Sequence, residues 1–304
     1  MLKVIIPSAG LGTRLRPVTE RIPKALIHVA DKPIIGHILS LVRHLEIRHA
    51  ILVVGYLGEE IVKYASSSFP DMVIESVVQQ SLEGLGHAIW LTREKAYGDE
   101  VLIIYGDTIL EPEISIAFEC RGDGALGVKE VEDPRRFGVV ILEGERVSKL
   151  IEKPENPPSN LALIGVSFFR NSKLLYDCLS EIVERNERTR GEIQATDAFD
   201  LMVRKGAYLT TFPVDNWIDC GTTESILEAN QVLLKKGGFT AKLPSCEVIP
   251  PVFVGDFALV RDSRIGPFVT IASGARVANC RLQNCIVEKT ANISGLTVED
   301  KIIG

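Results

Sequence analysis

A short apolar run, residues 3–7 (KVIIP), breaks directly into Ser8-Ala9-Gly10-Leu11-Gly12-Thr13-Arg14-Leu15-Arg16-Pro17-Val18-Thr19, with Pro23-Lys24 close behind. A buried strand that ends in a glycine loop is an arrangement in which backbone amides can approach phosphate oxygens. Gly10 and Gly12 carry no side chain to block that approach. Arg14 adds a planar fork of donors and Lys24 a point charge. A dinucleotide-binding loop would require GxGxxG, and the third position is Leu15. The P-loop order is absent as well.

The loop opens a longer alternation. Ile34, Ile35, Ile38, Leu41, Val42 and Leu45 recur at helical spacing. Residues 51–54, 73–78 and 101–104 read as further short strands. Strands alternating with helices predict an α/β fold: a Rossmann-like, mostly parallel sheet with helices on both faces. Such sheets bind ligands at the carboxyl ends of their strands. After residue 234 the chain changes character. KKGGFTAKLPSCEVIPP reads as a linker. Beyond it Val254, Val260, Ile265, Ile271, Val277, Leu282, Val287, Ile293 and Val298 stand five or six residues apart. A hexapeptide repeat gives that spacing, with one aliphatic residue pointing inward on each face of a short left-handed parallel β-helix. A small irregular β-region is the alternative. The expected domains are residues 1–236, catalytic, and 237–304, linker and repeat.

The net charge of −6 argues against nucleic acid as a bulk partner. Anionic substrates would instead meet Arg14, Arg16, Arg21 and Lys24. The N-terminal run passes straight into the glycine loop, which does not read as a secretory signal, and no apolar stretch approaches the length of a membrane span. The six cysteines form no CxxC pair, so they read as reduced thiols of a cytoplasmic protein without a zinc site.

With these motifs the chain resembles the nucleoside-diphosphate-sugar pyrophosphorylases, or sugar-phosphate nucleotidylyltransferases, over residues 1–234. IPSAGLGTR, GLGHA, SNLALIG and GEIQATDA resemble bacterial glucose-1-phosphate uridylyltransferases. NWIDCGT resembles glucose-1-phosphate thymidylyltransferases. The resemblance implies a nucleotide against Ala9, Gly10, Gly12, Thr13, Gln79, Gly84 and Gly106, with Gln79 and the Gly84 backbone reading a pyrimidine. Gln80 beside it leaves the choice of glutamine open, and His87 is expected to be structural. It implies a sugar against Gly138, Glu152, Lys153, Gly165, Glu192 and Trp217, with Thr196 and Asp197 in support. Arg14, Lys24 and Lys153 become the catalytic cations: Arg14 for the triphosphate, Lys153 for the incoming phosphate, Lys24 for either. Asp107 and Asp219 become ligands of a Mg²⁺, an ion that prefers a few carboxylates plus phosphate oxygens.

The chemistry so implied is NTP plus sugar 1-phosphate giving NDP-sugar and pyrophosphate, with glucose 1-phosphate the leading sugar and UTP or dTTP undecided. A sugar 1-phosphate is already an anionic nucleophile and needs no general base. Positioning and charge stabilisation suffice. Two alternatives stand beside this reading: a regulatory homologue without turnover, and a bifunctional enzyme whose β-helix transfers acyl groups. All five histidines lie within the first 87 residues, so the repeat has none to serve as a base. Its expected use is in a homo-oligomer, and residues 1–234 are expected to carry the chemistry without it.

Overall fold

The computed structural model describes residues 1–110 and 112–304. The chain forms two compact units that do not follow chain order. Residues 1–10 and 38–217 make the first, and residues 11–37 and 218–304 the second.

The first unit is built on a nine-stranded sheet among the described residues. Leu2–Pro7 lies inside it, parallel to His49–Val54 on one side and to Glu100–Ile104 on the other. Ile5 is level with both Ile51 and Ile103. Val73–Val78 continues the parallel order at the edge. Val4, Ile5 and Ile6 are all fully buried, as expected of a strand covered on both faces. Beyond Glu100–Ile104 the sheet turns antiparallel. Leu161–Phe169 runs against that strand, and Gly138–Glu143 makes a hairpin with Arg146–Glu152. The mostly parallel expectation therefore holds on one side of the sheet, and the other side is mixed. A two-residue loop at Gly144-Glu145, with Gly144 at φ 62°, has no room for the helix a parallel crossover needs. Gly124–Glu130 pairs with Leu161–Phe169 and, in parallel, with Leu209–Pro213. The helix Ala195–Arg204 closes the core, its Phe199 ring 5.1 Å from that of Phe169.

The second unit carries the repeat. Among the described residues the strands of its C-terminal part pair in parallel. Glu247 pairs with Arg264, Arg264 with Arg281, and Arg281 with Thr297, steps of 17, 17 and 16 residues. Val252, Val269 and Cys285 make a second column, and Leu259, Arg276 and Asn292 a third. Three columns of short strands with a step of 16 or 17 residues describe a β-helix-like coil. Ile265, Ile271, Val277, Leu282, Val287 and Ile293 form its buried core, with Val254, Val260 and Val298 packed against it.

Two buried polar groups bind the rest of this unit to the coil. Asn230, on the helix Thr223–Gly237, is fully buried. Its Oδ1 accepts from Ala30 N at 2.8 Å and from Thr270 Oγ1 at 2.7 Å, and its Nδ2 donates to Phe268 O at 3.3 Å. Glu288 is also fully buried; it accepts from His28 N at 2.7 Å, and its Oε2 lies 2.9 Å from His28 Nδ1. The segment bearing the glycine-loop signature thus packs with the repeat, across the boundary drawn at residue 236. The six cysteines are free thiols. Among the described residues no helix is long and apolar enough to cross a membrane.

Candidate active site

The signature splits at Gly10. Its first part completes the strand end of the first unit. Ser8 N donates to Val53 O at 2.7 Å, Ala9 is buried, and Gly106 N donates to Pro7 O at 2.9 Å. A Cβ at Gly106 would overlap Ser8 Oγ and Pro7 O, so glycine there is a packing requirement. Gly10 differs: a Cβ would meet nothing within 4 Å. Packing gives no reason for glycine at that place, and the space beside it is open. The remainder of the signature lies in the second unit as three short 3₁₀ turns, Thr13–Leu15, Val18–Glu20 and Lys24–Leu26. Gly12 is left-handed at φ 61°, its carbonyl taken by Thr19 Oγ1 at 2.8 Å. Leu15, Val18 and Ile22 are buried, whereas Thr13 and Arg14 stand exposed and Lys24 is half-buried. The apolar residues hold the segment and leave its cations outside the core.

At the end of Val73–Val78 the structure brings together Gln79, Gly84 and His87. Gln79 is buried, and its Nε2 lies 3.1 Å from Gly84 O and 3.1 Å from His87 Nδ1. Gly84 stands at φ 106°, and a Cβ there would come within 2.6 Å of Ile193 O. Burial holds the His87 imidazole below its usual pKa.

A second group gathers around Glu152 and Lys153 at the end of the Arg146–Glu152 strand. The Glu152 side chain is only 6% exposed, accepts from Thr196 Oγ1 at 2.6 Å and lies 3.0 Å from Lys153 Nζ. A Cβ on Gly138 would meet Thr196 Oγ1 at 2.8 Å and Glu152 Oε2 at 3.3 Å. Lys153 takes a left-handed backbone, φ 43°, costly for a residue with a side chain. Two bonds enforce it: Lys153 N to Phe137 O at 3.0 Å, and Arg190 Nη2 to Lys153 O at 2.8 Å. Gly165 packs on Tyr105 and Thr108. Burial first, then the Glu152 and Asp107 carboxylates, raises the pKa of the Tyr105 phenol, so Glu152 and Asp107 act on one group. Glu192 is exposed and accepts from Gln194 Nε2 at 3.2 Å. Trp217 packs edge-on against Phe137 at 5.6 Å, and its shielded indole N–H has no partner among the described residues. Burial raises the pKa of Asp197, whose helix also carries Thr196. Asp219 lies in the second unit, on the short strand Trp217–Asp219, and a Cβ on Gly221 would sit 3.0 Å from its Oδ2.

Tyr105 and Arg190 escaped the sequence reading. Tyr105 had a signal in its place at a strand's carboxyl end, immediately before Gly106-Asp107. Arg190 had none, because its role is to hold the backbone of a residue far away in sequence.

The sequence profile of the nucleotidyl transferase family matches residues 3–236. A bifunctional protein GlmU of Methanocaldococcus jannaschii is 37% identical over 241 residues, 77% of this chain and 55% of that protein. The UTP–glucose-1-phosphate uridylyltransferase AglF of Haloferax volcanii is 32% identical over 241 residues, 76% of this chain and 96% of the relative. The chain spans 66% and 55% of the length of two curated relatives it matches. Among solved structures, a putative glucose-1-phosphate thymidylyltransferase from Bacillus anthracis superposes with TM-score 0.67 at 26% identity, covering 76% of this chain and 95% of the other.

Proposed function

We propose, from the premise that the chain belongs to the nucleotidyl transferase family, that it joins a nucleoside triphosphate to a sugar 1-phosphate and releases pyrophosphate. The observation that carries the reading is the group at Glu152 and Lys153. A buried carboxylate is bonded to Thr196, faces a glycine whose replacement would crowd the Thr196 and Glu152 side chains, and adjoins a lysine held in a strained backbone. That is a place for a polyol bearing a phosphate, with Glu152 on a hydroxyl and Lys153 on the phosphate. The Trp217 N–H, without a partner among the described residues, is assigned to the sugar as a further donor. Glucose 1-phosphate with UTP or dTTP is the substrate pair, supported by the activities for which the uridylyl- and thymidylyltransferase relatives are named.

A phosphate oxygen of the sugar attacks the α-phosphorus. The new O–P bond forms as the bond to the pyrophosphate oxygen breaks, and pyrophosphate leaves with the electron pair. Gln79 and Gly84 orient the base, and the open space at Gly10 admits phosphate oxygens to the backbone. Arg14 holds the triphosphate and the leaving pyrophosphate, Lys153 the incoming phosphate, and Lys24 serves either. A divalent cation, Mg²⁺ on this reading, neutralises phosphate charge when bound. Asp107 and Asp219 are its proposed ligands. Among the described residues no group of three or more His, Cys, Asp or Glu side chains could hold an ion alone. Two carboxylates completed by phosphate oxygens and water suit magnesium.

The coil is proposed to be a left-handed β-helix without acyltransferase chemistry, given its lack of histidine. The exposed Phe257 and Leu259 support a role in a homo-oligomer. Free thiols support a reducing, cytoplasmic setting. The experiment is a matrix of triphosphates against sugar 1-phosphates scored by pyrophosphate release. Turnover of UTP or dTTP with glucose 1-phosphate is the expected result, and no turnover in any cell of the matrix would overturn the reading.

A further inference from the structure

We propose that His87 is a positioning residue that fixes Gln79 as a hydrogen-bond acceptor, and so restricts the nucleotide to bases carrying an imide N–H, uracil or thymine. The proposal deepens the nucleotidyltransferase reading and rests on it.

The argument begins at Gly84 O, 3.1 Å from Gln79 Nε2. A backbone carbonyl only accepts, so the amide end facing it must be the nitrogen. That carbonyl also accepts from Ala88 N at 3.1 Å, which fixes its position. The Gln79 nitrogen has a second N–H, and 3.1 Å away stands His87 Nδ1. For this contact to be a hydrogen bond, Nδ1 must accept. His87 is then the neutral imidazole with its proton on Nε2. An imidazolium, or the Nδ1–H tautomer, would set N–H against N–H. Burial favours the neutral form, and the facing charges, Glu83 and Arg188, are paired with each other. The ring is held from behind by stacking on Trp90 at 5.7 Å, and the Trp90 Nε1 donates to Ser180 Oγ at 3.1 Å.

Both Gln79 N–H groups are then committed inside the protein, and Oε1 is what remains for a ligand. Uracil and thymine offer N3–H to such an acceptor, beside carbonyls that a backbone N–H such as that of Gly84 can meet. Cytosine presents an acceptor at N3, so the same approach opposes two lone pairs. A mismatch of this kind leaves buried polar groups unpaired and discriminates strongly. Without His87 the amide loses one of the two partners that set its orientation, and both affinity and discrimination should fall.

The experiment measures KM and kcat for UTP, dTTP and CTP on the full chain, the His87→Ala variant and the His87→Asn variant. The imidazole tautomer of the unaltered protein is read separately by ¹⁵N NMR. The expected results are clear preference for UTP or dTTP over CTP in the unaltered protein and an Nε2–H tautomer at neutral pH. His87→Ala should raise KM for UTP or dTTP about tenfold, with a smaller change in kcat, and narrow discrimination against CTP about tenfold, the effect of one hydrogen bond. His87→Asn, whose Oδ1 can accept in the same place, should recover part of both losses if melting shows either variant folded. CTP turnover matching UTP, an Nδ1–H tautomer, or unchanged discrimination in folded His87→Ala would each overturn the proposal while the nucleotidyltransferase reading stands. No turnover with any triphosphate would sink that reading and the proposal with it.

Discussion

At the scale of single residues, the strained lysine is the sharpest test of the site. Lys153 keeps φ 43° only because Phe137 and Arg190 bind its backbone from both sides. Its ammonium lies 3.0 Å from the Glu152 carboxylate. Lys153→Ala should slow pyrophosphate release by roughly 10²–10³, comparable to losing one positioned donor of charge stabilisation. The Michaelis constant for sugar phosphate should rise far more than that for the triphosphate. A variant with unmoved sugar-phosphate kinetics would remove Lys153 from its assigned role. The two aspartates give a different pattern. If one ion requires both, Asp107→Asn, Asp219→Asn and the double variant should lose activity to similar extents. Rates measured over a range of Mg²⁺ should show all three insensitive to added metal. Near-normal turnover in either single variant would break the shared assignment. At this scale the sequence was most readable where a residue's neighbours in the chain are its neighbours in space, as in Gly106-Asp107 or Glu152-Lys153. Thr196 was placed near the sugar by motif alone, and its bond to Glu152 spans 44 residues.

Elements were legible in proportion to the regularity of their period. The five-to-six-residue spacing after residue 250 marked the inward positions of the coil, because one stacked side chain per face is a strict geometric demand. Strand–helix alternation found the parallel half of the sheet. The antiparallel half hid in short apolar runs whose pairing is decided by a tight turn and by partners distant in sequence. What the period could not reveal is that residues 11–37 fold with the coil. The buried Glu288 carboxylate accepts two bonds from His28, and Asn230 ties Ala30 to Thr270. Truncation after Lys236 would take Glu288 from His28, and Thr270 and Phe268 from Asn230, at a cost of about 1–3 kcal/mol for each buried polar group exposed or unpaired. The truncated chain should melt earlier and lose most pyrophosphate release, contrary to the sequence-based expectation that residues 1–234 suffice. Glu288→Gln, in the intact chain, should lower the melting temperature by several degrees. Full activity and unchanged melting in both would show that the segment is held by other means.

At the scale of the whole molecule, stability should depend on pH through two half-buried histidines. Burial lowers the pKa of His37, despite the bond from its Nε2 to Val29 O, and lowers that of His87. A depressed pKa means the folded state binds fewer protons than the unfolded state near the unperturbed value of 6.5. The stability they contribute is complete above that pH and is lost as pH falls through the depressed values. Melting temperature should therefore decline between pH 7.5 and about pH 5.5, well before the paired carboxylates Glu75 and Asp99, whose pKa values are themselves lowered, begin to protonate. His37→Gln should flatten the decline, and an equally steep profile in that variant would reject the cause. A further consequence follows from the division of the chain. Residues 11–37 leave the ribosome about 180 residues before their partners begin at residue 218. At about 5–20 residues per second this is a delay of roughly 10–40 s. During synthesis the signature segment must wait, tethered between strands that can already pair, until residues 218–304 arrive. Emergence of residues 218–304, more than emergence of the signature, is then the event that completes the second unit.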